Sequence, residues 1–225
     1  MRVQIYSLTH PDDVRALLEM GVDHIGIAPG QQDVPAQVDI ETGRELFSLV
    51  PEDRETVALT VHESLDPMIE LATGLKPDIL HVCSDTGVVD PAGMRALRDR
   101  LPAGMDLMKA IEVGGPSAVA EAERVAPVSD WLILDTATTD VPGIGASGRT
   151  HDWSISREIV EAVEVPVILA GGLGPANVAE AVRTVRPAGV DSYSLTSRTE
   201  RRKDHDRTRG FVDAARTASA ELSEV

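Results

Sequence analysis

The stretch VILAGGLGPANVAEAVRTVRPAGVD, residues 167–191, decides the fold of this chain. It opens with a short apolar run, Val167–Ala170, and continues after a glycine turn into Asn177–Val185, where apolar residues recur every three or four positions. A second apolar run begins at Val190. These patterns predict a strand, a helix and a second strand. Two strands joined through a helix are expected to lie parallel in one sheet.

The same alternation of strand and helix runs along the whole chain. The eight predicted strands are Val3–Leu8, His24–Ala28, Val57–His62, Ile79–Ser84, Leu107–Val113, Trp131–Thr136, Val167–Ala170 and Val190–Leu195. Each is followed by a helical pattern, and no linker divides the chain. This organisation predicts the α/β class, with a single (β/α)8 TIM barrel as one domain over residues 1–225.

An open, doubly wound sheet is the alternative fold. It is disfavoured because no glycine-rich dinucleotide fingerprint follows the first strand, where the sequence reads Tyr6-Ser-Leu-Thr-His10. For the same reason no cofactor is expected.

Composition and charge limit the environment and the partners. No apolar run is long enough for a membrane span and the first residues do not resemble a signal peptide, so we expect a cytoplasmic protein. The single cysteine, Cys83, excludes an internal disulfide. A net charge of −16 argues against nucleic acid and anionic membranes as partners.

The acidic surface has a second feature, a shortage of lysine. Only three of the 21 basic residues are lysines. This halophilic-type composition is typical of proteins that work in concentrated salt, where screening weakens the repulsion between like charges. Ordinary acidic solubility is the alternative explanation.

Barrels often bind phosphate in the loops after strands seven and eight, and both loops here carry suitable residues. Gly171 and Gly172 bring backbone N–H groups close to an anion, although a glycine turn that simply leads into a helix is the alternative. After strand eight, Asp191 and Ser194 are candidate contacts. Arg198 opens the one dense basic cluster of the sequence, which could equally be a solvated surface. A small phosphorylated substrate is the predicted partner.

Candidate acid and base groups also lie near strand ends. Asp135 ends strand six, where partial burial would raise its pKa and suit it to proton transfer. His81 and Cys83 are two residues apart on strand four and therefore share a face. Cys83 is, alternatively, a small buried apolar residue. Tyr6 on strand one is a hydrogen-bond donor.

A divalent metal site is a further alternative at these strand ends. The side chains that could form it are His62, His81, Asp135 and Asp191. Their spacing matches no metal signature, so no metal is expected.

From end to end the sequence resembles the phosphoribosylanthranilate isomerase family, tryptophan-pathway barrel enzymes that perform an Amadori rearrangement. The segments that carry the resemblance are IYSLTHPDDVRALLEMGVDHIGI, LMKAI, LILDT followed by GIGASGRTHDW, and VILAGGLGPANVAEAVRTVRPAGVD. The resemblance implies the barrel fold and a role for Asp135 as general acid.

Several site positions depart from the family pattern. Tyr6 stands where the family has its cysteine base, and His81 and Cys83 replace the glutamine and histidine of a QLHG segment. Leu195 replaces a glycine of the phosphate loop. The loop after strand two lacks the arginine that contacts the anthranilate carboxylate, the next arginine being Arg44.

These departures favour acid/base isomerisation, through an enolisation, of a sugar phosphate other than the usual substrate, with Asp135 partnered by Tyr6, His81 or Cys83. The alternatives are an authentic family isomerase with a replaced base, a lyase or aldolase that uses Lys109 as a Schiff-base lysine, and a non-catalytic phosphosugar-binding protein. A monomer or a homodimer is expected.

Overall fold

The computed structural model describes residues 1–136, 150–199 and 201–223. Eight parallel strands close into a barrel in sequence order. They are β1 Arg2–Ile5, β2 His24–Ile27, β3 Glu55–Thr60, β4 Ile79–Val82, β5 Asp106–Glu112, β6 Trp131–Asp135, β7 Val167–Leu169 and β8 Gly189–Ser192. The predicted (β/α)8 TIM barrel is confirmed. Most of the GIGASGRTHDW segment lies outside the described residues.

Helices surround the strands on the outside. They are α1 Pro11–Glu19, α2 Ile40–Phe47, α3 Leu65–Leu75, α4 Pro91–Arg100, α5 Ser117–Val125, α6 Trp153–Ala162, α7 Val178–Val185 and α8 His205–Ser223. None of the helices in the described part of the chain combines the length and apolar character needed to cross a membrane.

Two hydrophobic layers follow from the alternation of side chains along each strand. The larger layer lies between strands and helices and includes Val3, Leu80 and Leu134. The smaller layer fills the barrel interior and includes Tyr6, Cys83, Met108, Ile133 and Ala170. Strands buried on both faces explain why the sequence shows continuous apolar runs.

Several predicted strands are too long at their carboxyl ends. Strand eight was predicted to reach Leu195, but β8 ends at Ser192 and residues Ser194–Thr196 form a short 3-10 turn. A hairpin then follows, formed by β9 (Ser197–Thr199) and β10 (Arg202–Lys203). Leu195 therefore lines the cavity at the mouth of the barrel instead of extending β8.

The β9–β10 hairpin is tied to helix α1 by one buried carboxylate. Asp13 is 1% exposed and accepts hydrogen bonds from Arg202 Nε at 2.9 Å, from His205 Nε2 at 2.9 Å and from the Lys203 backbone N–H at 3.1 Å. Burial alone would raise the pKa of Asp13, but the bonds from Arg202 and His205 lower it. The segment after β8 is therefore held against the barrel by a charged anchor.

Candidate active site

A small cavity lies at the carboxyl ends of β6, β7 and β8. Five of the predicted site residues line it: Asp135, Gly171, Gly172, Asp191 and Ser194. The closed barrel brings these residues together from positions up to 59 apart in the sequence, because parallel strands end at the same face.

The turn after β7 has a backbone that only glycine accommodates easily. Gly171 and Gly172 have φ of +81° and +60°. A Cβ on Gly171 would overlap the Thr136 hydroxyl and lie 3.0 Å from Nδ1 of His151. The Asn177 side chain holds the turn, accepting from Gly174 N–H at 2.8 Å and donating to the Gly172 carbonyl at 3.0 Å.

The same turn presents unused donors to the cavity. Among the described residues, none accepts a hydrogen bond from the backbone N–H of Gly171 or Gly172. Two such N–H groups at the end of a barrel strand suit an anion such as phosphate.

Asp135 is the last residue of β6, and its carboxyl group faces the cavity. Its Oδ1 accepts a hydrogen bond from the Thr136 backbone N–H at 2.7 Å. Burial, together with the nearby charge of Asp191, raises the pKa of Asp135 to about 8. At neutral pH this carboxyl group therefore holds a proton that it can donate.

Asp191 lies on β8, with the glycine turn of β7 between it and Asp135. Its Oδ1 accepts a hydrogen bond from Gln4 Nε2 at 3.2 Å. Burial raises the pKa of Asp191 to about 7, against the opposing effects of Gln4 and Lys203. Two carboxyl groups with raised pKa values thus share one cavity.

Lys203 places a buried amino group beside Tyr193, one of the residues that line the cavity. Its side chain is 2% exposed, and its Nζ donates to Ser197 Oγ at 3.0 Å and lies 4.9 Å from the centre of the Tyr193 ring. Burial lowers the pKa of Lys203 to about 7, although the charges of Asp191 and Asp13 oppose this.

Tyr6, His81 and Cys83 are buried and do not line the cavity. Tyr6 Oη and His81 Nδ1 are 2.8 Å apart. The Tyr6 ring lies over Gly26, where a Cβ would come within 2.6 Å of it. Burial raises the pKa of Tyr6 well above its usual value and lowers that of His81 to about 3. A neutral phenol is therefore hydrogen-bonded to a neutral imidazole.

The remaining predicted residue, Arg198, is exposed on β9 and does not line the cavity. Leu195 does line it: the side chain is 40% exposed and packs over Gly174. The loop after β8 therefore offers the Ser194 hydroxyl together with an apolar side chain.

Lys109 lies away from the cavity. Met108 and Ala110 on either side of it pack inside the barrel, so its own side chain points outward. Its Nζ donates to the carbonyls of Val82, Ser84 and Ala110. This placement is that of a buried lysine that caps the end of β4.

Sequence reasoning did not identify His151 as part of the site. Its Nδ1 lies 3.2 Å from Thr136 Oγ1 and its Nε2 lies 2.7 Å from Ser156 Oγ. Burial lowers the pKa of His151 to about 4, so it is neutral at physiological pH. The available signal was its position in the THDW segment, directly before helix α6.

The residues of the metal alternative do not form a metal site in the part of the chain that the structure describes. Within residues 1–136, 150–199 and 201–223, no group of three His, Cys, Asp or Glu side chains could hold an ion.

Comparison with known proteins gives consistent results. The profile of the N-(5'phosphoribosyl)anthranilate (PRA) isomerase family matches residues 3–214. The N-(5'-phosphoribosyl)anthranilate isomerase of Haloferax volcanii is 38% identical over 218 residues, which cover 96% of this chain and 94% of that protein.

Solved structures agree with this similarity. Phosphoribosyl anthranilate isomerase from Thermotoga maritima is 25% identical, with a TM-score of 0.80, over 96% of this chain and 99% of that one. A phosphoribosyl anthranilate isomerase in complex with reduced 1-(o-carboxyphenylamino)-1-deoxyribulose 5-phosphate shares the fold, with a TM-score of 0.77 and 23% identity over 96% and 99% of the two chains.

Proposed function

Because this chain belongs to the N-(5'-phosphoribosyl)anthranilate isomerase family, we propose that it isomerises PRA to 1-(o-carboxyphenylamino)-1-deoxyribulose 5-phosphate. The sequence favoured a different sugar phosphate as substrate, a prediction that the reported relatives do not support, since they carry the name of PRA isomerase. The alternative of an authentic family isomerase with a replaced base is the better supported one.

One observation carries the proposal: a protonated carboxyl group and a turn suited to phosphate line the same cavity. Asp135 supplies the first, and Gly171 with Gly172 supplies the second. A substrate whose phosphate binds the glycine turn would place its sugar ring near Asp135. The Asp135 proton then passes to the ring oxygen as the bond from C1 to that oxygen breaks.

The direct test measures the disappearance of PRA fluorescence with purified protein in concentrated KCl. We expect turnover by the wild type and a decrease of about 10²–10⁴-fold in kcat for Asp135→Asn, which keeps the shape of the side chain but removes its acid. Unchanged PRA fluorescence with folded wild-type protein would refute the proposal.

A second candidate function is isomerisation of a sugar phosphate without an anthranilate group. The loop between β2 and α2 contains no arginine for the anthranilate carboxylate, and Arg44 on α2 donates instead to the Gly74 carbonyl at 2.9 Å. Incubation with aldose phosphates such as ribose 5-phosphate, followed by product analysis, tests this candidate. Conversion of these compounds in preference to PRA would favour it.

A further inference from the structure

Isomerisation of an aminoaldose to an aminoketose requires a base as well as an acid, because the hydrogen on C2 leaves as a proton. Asp135 accounts for the acid. We infer that Asp191 is the general base that removes the C2 proton, an assignment that rests on the proposed function.

The first support is position. Asp135 on β6 and Asp191 on β8 line the same cavity, with Gly171 and Gly172 at the end of β7 between them. A substrate anchored by its phosphate at this turn would have one carboxyl group on each side of its reacting carbons. Opposed groups above a phosphate site are the arrangement that proton transfer beside a carbonyl or imine requires.

The second support is that a hydrogen bond from inside the barrel positions the Asp191 carboxyl group. Gln4 Nε2 donates to Asp191 Oδ1, and Gln4 Oε1 lies 3.0 Å from Nδ1 of His24. His24 Nε2 in turn lies 2.6 Å from Glu55 Oε2. Among the described residues, Gln4 is the one side chain that donates to Asp191. Gln4 thus holds Asp191 from the barrel interior, while Asp191 itself lines the cavity.

The third support is that the other candidate bases do not line the cavity. Tyr6, His81 and Cys83 are each less than 5% exposed and lie in the layer beneath it. The Tyr6 hydroxyl is already hydrogen-bonded to His81, and the raised pKa of the phenol keeps its proton in place at neutral pH. Of the two carboxyl groups that line the cavity, Asp191 is the one that does not already serve as the acid.

The proton transfers balance as follows. After ring opening, the substrate carries a protonated imine at C1. Asp191 takes the proton from C2, the C2–H electron pair becomes the C1=C2 double bond, and the imine electron pair moves to nitrogen. The enol so formed loses its hydroxyl proton and gains a proton at C1, which yields the aminoketose without any oxidant or cofactor.

The charges around Asp191 suit these roles. It is faced by Tyr6 from β1, by Asp135 from β6 and by Lys203 from β10. The base must be ionised and the acid protonated. The kcat should therefore rise with pH through the pKa of Asp191, about 7, and fall through that of Asp135, about 8.

Asp191→Asn tests the assignment, with Asp23→Asn as a matched control. Asp23 is similarly buried but lies at the opposite end of the barrel, where it accepts from the Val3 N–H and from Arg216. We expect Asp191→Asn to lower kcat by about 10²–10⁴-fold, to abolish the rising limb of the pH profile, and to enlarge the isotope effect with C2-deuterated PRA. Asp23→Asn should keep the wild-type profile and isotope effect.

The outcomes separate this assignment from the proposed function. Wild-type turnover of PRA that persists in Asp191→Asn with an unchanged pH profile overturns the assignment and leaves the function standing. The assignment is also overturned if the rising limb of the pH profile of kcat disappears in Tyr6→Phe but persists in Asp191→Asn. A wild type without activity on PRA refutes both.

Should Asp191→Asn fail to fold, Asp191→Glu decides the question. In Asp191→Glu the carboxylate lies one methylene group further from the backbone but is still a base. We expect measurable turnover with a rising limb shifted from that of the wild type, whereas an unchanged profile and isotope effect would overturn the assignment.

Discussion

Replacing Tyr6 with phenylalanine deletes one oxygen atom from the barrel interior and leaves the ring in place over Gly26. The Tyr6 hydroxyl is hydrogen-bonded to His81 Nδ1 at 2.8 Å, and both residues are about 4% exposed. In the described part of the chain, His81 Nε2 has no hydrogen-bond partner. The variant would therefore bury an imidazole with neither nitrogen paired.

The size of the effect follows from this burial. Leaving a buried acceptor unpaired costs about 1–3 kcal/mol. For a chain of this length, 1 kcal/mol shifts Tm by about 2–4 °C, so a decrease of roughly 2–12 °C is expected. Circular dichroism melts in concentrated KCl, without substrate, provide the measurement.

A double-mutant cycle with His81→Leu isolates the pair from other effects of each substitution. We expect a coupling energy of about 0.5–3 kcal/mol between the two positions. A Tm within 1 °C of the wild type, or independent effects of the two substitutions, would show that this hydrogen bond does not stabilise the barrel.

Three further predictions concern the site and the surface. Asp135→Asn should raise Tm more at pH 9 than at pH 5. The reason is that the pKa of Asp135 is about 8 in the folded protein, so the stability of the wild type falls as pH rises from the unfolded-state pKa to 8. A Tm difference between variant and wild type that does not vary with pH would contradict this prediction. Gly171→Ala should lower kcat/KM at least about tenfold, because the added Cβ clashes with Thr136. Gly104 has a similar φ, but a Cβ added there would meet no atom within 4 Å, so Gly104→Ala should leave kcat/KM unchanged. Equal kinetic losses in both variants would refute the steric explanation. Added KCl should raise Tm, because it screens a net charge of −16; a Tm that falls or stays constant would favour ordinary acidic solubility.

Which residues form strands and helices was determined by the sequence itself. Apolar runs of four to seven residues alternate with helical periodicity along the whole chain. This pattern requires a parallel sheet covered by helices, and eight such units in one domain favour a closed barrel over an open sheet. Asp135, Gly171 and Gly172 could be placed at one end of the barrel from the sequence, since each lies at or just after the end of a predicted strand, whereas Asp191 and Ser194 lie within predicted strand eight.

Side-chain environment was decided by the tertiary structure alone. Tyr6 directly follows β1 and Asp191 lies on the neighbouring strand β8, and no local pattern distinguishes a residue that faces the cavity from one that lies beneath it. That difference arises from contacts distant in sequence, such as Tyr6 with Gly26 and His81, or Asp191 with Gln4. Burial and neighbouring charges set the pKa values of these groups, and both exist only once the barrel has closed.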